Sequence, residues 1–320
     1  MPLTNFPQGA SSFGFPLLPA PLYNYWGGGQ VLWVCNRSGV SSGDGTTPDR
    51  PLASLFTATT GALAKVNNKQ GCLILVLPGH SENITASTNI STAAGGSSAT
   101  FLNIVGIGSG GLRPTLNWTA AASALLCNLQ GLAFRNFVFN LNATAATVVT
   151  AAITHSAADQ IFDSVDMLVN TSATQLTTTA VTVASGADNL TYSNVRMFGE
   201  TFATNPTDTF TTTAAVNKLT MLNCKLMVAL NATTNGAINL ANSPTNVYIE
   251  DCAFMNKKAS STVAAIASAS ATGQVNFSTL TITNATGAAT AFNTPGLLVL
   301  GQTFASVVGK FGIGATTASG

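Results

Sequence analysis

The chain contains few charged side chains. Lys, Arg, Asp and Glu make up only 7% of its 320 residues, against about 25% in ordinary domains. The formal net charge is +1, so neither nucleic acid nor an anionic membrane is an expected partner. The 46% of apolar residues argue against a disordered chain. We therefore expect an ordered β protein with an uncharged, hydroxyl-rich surface.

Long apolar runs and an export signal are also missing. The longest apolar stretches, such as Cys72–Leu77, are far shorter than the about 18 residues that would indicate a membrane span. The first residues, Met1–Phe6, lack the basic and apolar regions of a secretory signal. We expect a protein that is made in a cytoplasm and does not enter a membrane.

The cysteines show no metal-binding or disulfide pattern. Five are present, an odd number that is widely scattered without any CxxC pair: Cys35, Cys72, Cys127, Cys224 and Cys252. Neither a zinc site nor a disulfide framework is indicated, and no cofactor is expected. We interpret the cysteines as buried thiols, with a Cys224–Cys252 disulfide as the alternative.

What the sequence does contain is a repeat with apolar residues at relative positions 0, 2, 5 and 7. Clear copies are Leu132, Phe134, Phe137, Phe139; Leu190, Tyr192, Val195, Met197; Leu219, Met221, Cys224, Leu226; and Val247, Ile249, Cys252, Phe254. The copies start at residues 73, 102, 132, 160, 190, 219, 247 and 275, so every step is 28 to 30 residues. A step this regular predicts a solenoid of about eight coils, or rungs.

The spacing within each copy indicates short strands joined by corners. Positions 0 and 2 share one strand face, positions 5 and 7 share another, and the change of phase marks a two-residue corner. Small polar residues occupy position 4: Asn136, Ser164, Asn194, Asn223, Asp251 and Thr279. With a third strand before each copy, the repeat predicts an all-β, right-handed parallel β-helix. An antiparallel sandwich or jelly roll would not explain the fixed step.

The repeat divides the chain into three parts. We expect an extended arm over residues 1–29, a β-helix over 30–294 that includes a capping helix at 51–66, and a C-terminal tail over 295–320. The arm is too rich in proline for a central strand and too aromatic for a solvated linker. Its predicted partner-docking residues are Phe6, Phe13, Phe15, Leu17, Leu18, Tyr23, Tyr25 and Trp26. The alternative is an arm folded back on its own β-helix.

The N-terminal part resembles a known family. Three features follow one another here: the loop Ser42–Pro51, the expected helix, and Cys72–Gly79 as a first strand. This order resembles the entry of pectate-lyase-like β-helix proteins, among them bacteriophage tailspikes and head-decoration proteins. The segment Asn5–Gly14 is similar to the start of phage head proteins. The resemblance implies a virion protein, commonly a homotrimer, made in the bacterial cytoplasm.

The acidic residues do not form the pairs that polysaccharide-cleaving members of this fold use. Only eleven Asp and Glu are present, and no two occupy the same slot on adjacent rungs. The closest approach is between Asp159 and Asp188, which we interpret as turn residues rather than a calcium or acid pair. His80 and His155 have no ligand or catalytic partner at a suitable spacing. We therefore predict that the protein is not an enzyme and has no metal or cofactor site.

The same slots predict two ion pairs between neighbouring rungs. They place Arg135 beside Asp163, and Asp166 beside Arg196. Because exposed ion pairs add little stability, these pairs serve mainly as a test of the repeat register.

Three functions compete on these observations. The first is a capsid decoration or cement protein that binds the major capsid protein or other virion proteins through its arm. The second is a tailspike or receptor-binding protein that recognises a host surface glycan. The third, a bacterial adhesin, lacks its export signal. We expect the first, with the protein located in the virion.

Overall fold

The computed structural model describes most of the repeat region and short pieces of the two ends. The main described ranges are 29–37, 43–66, 70–93, 101–141, 148–169, 176–199, 208–228, 238–256, 271–284 and 297–307. Shorter described pieces are 11–12, 15–16, 144, 266–268, 292–293 and 310–313.

The chain winds through three sheets that run along the molecule. The first sheet contains Val31–Val34, Leu73–Val76, Asn103–Gly106, Ala133–Arg135, Ile161–Asp163, Leu190–Ser193, Leu219–Leu222, Val247–Glu250, Gly273–Asn284, Leu297–Val307 and Lys310–Ile313. The second contains Ser81–Ile84, Thr115–Trp118, Val138–Asn140, Asp166–Val169, Arg196–Gly199, Lys225–Val228 and Ala253–Asn256. The third contains Ser87–Asn89, Ala124–Cys127, Val148–His155, Leu176–Val183, Asp208–Thr212, Ile238–Leu240, Ile266–Ser268 and Phe292–Asn293.

The strands in these sheets pair in parallel with strands one repeat away, apart from Lys310–Ile313, which pairs antiparallel with Leu297–Val307. The chain passes from the first sheet to the second, then to the third, and returns to the first. The molecule is therefore an all-β parallel β-solenoid, as the repeat predicted. The right-handed winding and the count of eight rungs stay predictions.

The polar corner residues at position 4 adopt the left-handed backbone conformation. Asn136, Ser164, Asn194, Asn223 and Asp251 have φ between +51° and +60°. This conformation is unfavourable for most L-residues but tolerated by Asn and Asp. Each of the first four donates its backbone N–H to the carbonyl of position 3 on the next rung. The left-handed residue thus turns the chain while the hydrogen-bond ladder between rungs continues.

A second left-handed corner precedes position 0 in six successive rungs, and the repeat pattern did not predict it. Its residues are Phe101, Gly131, Asp159, Asn189, Lys218 and Asn246. The N–H groups of the first five also bond to the following rung, as from Asp159 N to the carbonyl of Asp188 at 2.9 Å. The signal in the sequence was Gly, Asp or Asn at four of these positions, which Phe101 and Lys218 obscured.

Apolar residues at positions 0, 2, 5 and 7 fill the interior. Phe134, Phe162 and Tyr192 occupy position 2 on successive rungs and are fully buried. The rings of Phe162 and Tyr192 stack with centroids 5.3 Å apart and planes at 15°. Like side chains therefore lie above one another, which is the packing that the repeat requires.

The first predicted copy is wrong by one residue. Leu73 pairs with Asn103 rather than with Leu102, so Ile74 and Val76 enter the core while Leu73 and Leu75 face outward. A one-residue shift moves every side chain of a strand to the opposite face. The segment from Cys72 to Leu77 is continuously apolar, so its periodicity could not determine which face is inside.

The next copy is interrupted by an insertion. Ile107 was expected at position 5, but the second strand begins at Thr115, and residues 107–114 form a loop between the two strands. This loop contains a short 3-10 helix, Gly110–Leu112. The insertion places Arg113 beside the corner of the following rungs.

The last copy also differs from its prediction. Val247 pairs with Gly273, so Val275 lies beside Ile249 at position 2 instead of beside Val247 at position 0. The predicted corner at Ser278 and Thr279 is absent, because Gly273–Asn284 is one strand that changes register against Leu297–Val307 between Phe277 and Leu280. Part of the expected tail thus extends the first sheet.

The expected capping helix over 51–66 is not present at that length. Only Ala62–Val66 is helical, and the other described α-helix is Ile90–Ala93. Leu52 instead forms a parallel bridge with Val34, and the N–H groups of Leu55 and Phe56 donate to the carboxylate of Glu82. These contacts hold the segment in an irregular conformation, although its apolar spacing is compatible with a helix.

The corner geometry yields a test on one exposed residue. We expect Asn223→Val to lower the free energy of unfolding by about 1–2 kcal/mol, because a β-branched side chain is strained at positive φ. Asn223→Gly, the matched control, should be nearly neutral, because Gly adopts this conformation without a steric penalty. Urea unfolding of the three proteins measures the difference. Equal midpoints for the Val and Gly variants would show that the corner conformation does not matter.

Candidate functional site

The predicted docking arm lies almost entirely outside the described residues. Of its docking residues, Phe6, Phe13, Leu17, Leu18, Tyr23, Tyr25 and Trp26 are outside them. Phe15 lies in a two-residue strand, Phe15–Pro16, that pairs antiparallel with Ser11–Ser12. The docking role of these residues stays a prediction.

The outer face of the first sheet is apolar where the arm joins it. Leu73, Leu75 and Val105 form a buried cluster separate from the interior, with Val31, Trp33 and Ile107 partly buried against it. We call these six residues the N-terminal apolar cluster. On later strands the outer positions become polar, as at Arg135, Asp163 and Ser193. Leu73, Leu75 and Val105 are already buried in the folded chain, so the cluster is a second, smaller core rather than an exposed patch.

The acidic residues at the corners hydrogen-bond to neighbouring rungs. Asp159 accepts hydrogen bonds from Asn189 at 2.7 Å and Gln130 at 2.9 Å, and these bonds lower the pKa of its carboxyl. Asp188 accepts a hydrogen bond from the backbone N–H of Asn217 at 2.7 Å. Both therefore stabilise the corners as acceptors.

Both predicted ion pairs are confirmed. Arg135 Nη1 lies 3.5 Å from Asp163 Oδ2, and Arg196 Nε lies 2.6 Å from Asp166 Oδ1. Asp163 also accepts hydrogen bonds from Ser193 at 2.6 Å and Asn194 at 3.0 Å. The slots of the repeat thus placed these side chains correctly.

His80 belongs to a structural network at the N-terminal end. Its Nδ1 accepts the backbone N–H of Asn36 at 3.1 Å, so Nε2 carries the proton and donates to Glu82 at 3.0 Å. Burial would raise the pKa of Glu82, but hydrogen bonds from His80, Ser54, Leu55 and Phe56 together lower it. The network fixes the segment that replaced the expected helix.

His155 is buried in the interior between two polar partners. Its Nδ1 donates to Gln160 Oε1, and its Nε2 accepts the hydroxyl of Tyr192 at 2.7 Å. Gln160 in turn donates to the carbonyls of Cys127 and Leu129. Burial lowers the pKa of His155 to about 4. The polar Gln160 at position 0, where the repeat has Leu or Val, was the sequence signal for this network.

The five cysteines are buried free thiols, as expected. Cys224 and Cys252 occupy the same slot on neighbouring rungs, and the N–H of Cys224 donates to the Cys252 sulfur at 3.3 Å. The hydrogen bond with Cys252, together with burial, raises the pKa of the Cys224 thiol. Burial also raises the pKa of Cys127.

One open cleft of about 380 Å³ lies beside the position-4 corner, and the repeat pattern gave no indication of it. The inserted loop at Gly108–Arg113 forms one wall, and the corner side chains of several rungs form the floor. Arg113 Nη1 lies 2.5 Å from Asp166 Oδ2, and the same guanidinium donates to the carbonyls of Phe137 and Ser164. Arg196 and Lys225 line the other side.

In the described ranges, no three His, Cys, Asp or Glu side chains are grouped so that they could hold a metal ion. No helix in the described part of the chain is long and apolar enough to cross a membrane. Comparisons with protein-family models, with curated proteins and with solved structures find no match to this chain. The phage resemblance therefore stays a proposal that depends on the residues alone.

The buried histidine predicts a loss of stability in acid. Unfolded His155 takes up a proton below about pH 6.5, whereas the folded side chain resists protonation down to about pH 4. The contribution of His155 to stability should therefore be constant above pH 6.5 and fall by up to about 3 kcal/mol as the pH drops towards 4. Urea unfolding across this range would measure it. The double variant H155F/Q160L should lose less stability over the same range, and an unchanged pH dependence would contradict the assignment.

The Glu82 network gives a second prediction. Glu82→Gln should destabilise the protein by about 2 kcal/mol, because an amide donor would face N–H and O–H groups that need acceptors. Tyr248 donates to Glu250 on the outer face, and Glu250→Gln should have a much smaller effect there. Thermal unfolding of both variants makes the comparison. Similar losses would show that the buried Glu82 network stabilises the protein no more than an exposed carboxylate does.

Proposed function

We propose that the protein is a structural virion protein of a bacteriophage, which decorates the capsid and attaches through its N-terminal end. The observation that carries this proposal is the sequence of the arm, which places eight aromatic and aliphatic docking residues within residues 1–29. The outer face of the first sheet is apolar beside the arm, where Leu75 is fully buried, and it carries polar residues such as Arg135 and Asp163 further along.

The hydrogen bonds that the acidic side chains accept support a structural role for the protein. Asp159, Asp163 and Glu82 each accept two or more hydrogen bonds within the protein. A glycosidase needs one carboxyl to protonate the leaving group and a second that acts as nucleophile or base. Side chains held in this way as structural acceptors favour a protein without hydrolytic activity.

The third sheet offers a surface through which copies could associate. The strands Val148–His155 and Leu176–Val183 contain no Lys, Arg, Asp or Glu, and Val148, Thr150 and Thr182 lie on their solvent-facing side. Val148 is 48% exposed. Packing three such uncharged faces together would form a homotrimer without burying an unpaired charge.

A second candidate, recognition of a host surface glycan, is favoured by the cleft beside Arg113. Pockets that bind polar ligands combine concavity with a few well-placed polar groups. The cleft offers Ser109, Asn223 and Lys225 at a solvent-accessible position. Particle attachment would then use the N-terminal arm, and glycan binding would use the cleft.

Deletion of residues 1–26 tests the primary proposal. The truncated rod should keep its circular dichroism spectrum and thermal midpoint but fail to co-sediment with capsids, because the aromatic arm is absent. A full-length variant with Tyr25→Ser and Trp26→Ser should bind capsids more weakly than the unaltered chain. A truncated protein that joins the capsid normally would exclude attachment through the arm.

A further inference from the structure

The cleft beside the position-4 corner concentrates positive charge in a protein that has little charge. The whole chain has twelve Lys and Arg and a net charge of +1. Three of these cations, Arg113, Arg196 and Lys225, line the cleft with a single carboxylate, Asp166. Three positive charges against one negative charge leave a local surplus of two.

Two of the cations are held in place. Arg196 donates from Nε and Nη2 to Asp166, and its guanidinium carbon lies 5.5 Å from the centre of the Phe198 ring. Arg113 is fixed by Asp166 and by the carbonyls of Phe137 and Ser164. A site built from pre-positioned cations loses little side-chain entropy when it binds an anion.

Donors remain available after these contacts. Within the described part of the chain, Lys225 has no side-chain hydrogen bond or ion pair, and Arg196 Nη1 has no partner. Arg113 Nε is buried and also lacks a hydrogen-bond partner among the described residues. Lys225 pairs in register with Arg196 on the adjacent strand. The two exposed cations therefore lie side by side on neighbouring strands at the cleft.

We propose that this cleft binds a dianionic oxyanion, either the phosphate monoester group of a ligand or a free phosphate or sulfate ion. The Lys225 ammonium and Arg196 Nη1 would donate directly to its oxygens, and Arg113 would contribute charge from the cleft wall. Two negative charges match the local surplus, whereas a single carboxylate would leave one cation uncompensated. The proposal is independent of how the protein attaches to a particle.

Isothermal titration of the full-length protein at constant ionic strength tests the proposal. Inorganic phosphate at pH 8 and sulfate should each bind saturably at one site, and acetate should bind about tenfold more weakly because it offers one charge. Lys225→Gln should weaken phosphate and sulfate binding about tenfold, the loss of one charged hydrogen bond. Lys65→Gln, an exposed lysine on the helix Ala62–Val66, is the matched control and should bind as the unaltered protein does.

Several results would overturn the proposal. They are no saturable binding of either dianion, equal binding of acetate, or unchanged binding by a Lys225→Gln protein with a normal thermal midpoint. A comparison of glucose 6-phosphate with inorganic phosphate then distinguishes the source of the anion. Tighter binding of the sugar phosphate would support a phosphorylated polymer, and equal binding would support the free ion. Capsid attachment should be unaffected by Lys225→Gln, so the two proposals fail separately.

Discussion

The left-handed corner residues are the constraint on which the rest of the structure depends. At positive φ the chain changes direction while its N–H still points along the stack, so Asn194 and Asn189 bond to the next rung as strand residues do. Rungs can then repeat without a gap in the ladder at either corner. The interior stack of Phe162 and Tyr192 and the outer rows of charged residues follow from this exact repetition. A corner residue that resisted this conformation would disturb the hydrogen-bond ladder, the interior stack and the outer rows of charged residues.

Much of the fold was predictable because a solenoid repeats its pattern. Position 2 is apolar at Phe134, Phe162 and Tyr192, and the structure pairs these residues in register. Prediction failed where the apolar pattern did not show which residues of a strand face the interior or where the next strand begins. The strand around Leu75 is apolar on both faces, and the loop ending at Arg113 is an insertion that periodicity cannot place. The helix expected over 51–66 had suitable spacing, but tertiary hydrogen bonds from its backbone to Glu82 outweigh that local preference.

The candidate sites were predictable to different degrees. The pairs Arg135–Asp163 and Asp166–Arg196 followed directly from shared slots. The cleft did not, because it needs Arg113 from the inserted loop beside residues two to four rungs further along the chain. Gln160 at an otherwise apolar position is a signal for a buried polar partner that the sequence interpretation did not use, and only the fold shows that the partner is His155. The docking role of the arm stays a prediction from its sequence, because almost all of its docking residues lie outside the described part of the chain.

We propose two separate binding functions for the rod. The aromatic arm binds protein, and the cationic cleft around Lys225 binds a small anion. The central claim is that the arm attaches the rod to a capsid. Cryo-electron microscopy of intact particles from the source of the sequence tests it most directly. The account predicts density for the rod on the capsid, with residues 1–29 lying across shell subunits. Density confined to the tail, or particles that lack the protein, would contradict it.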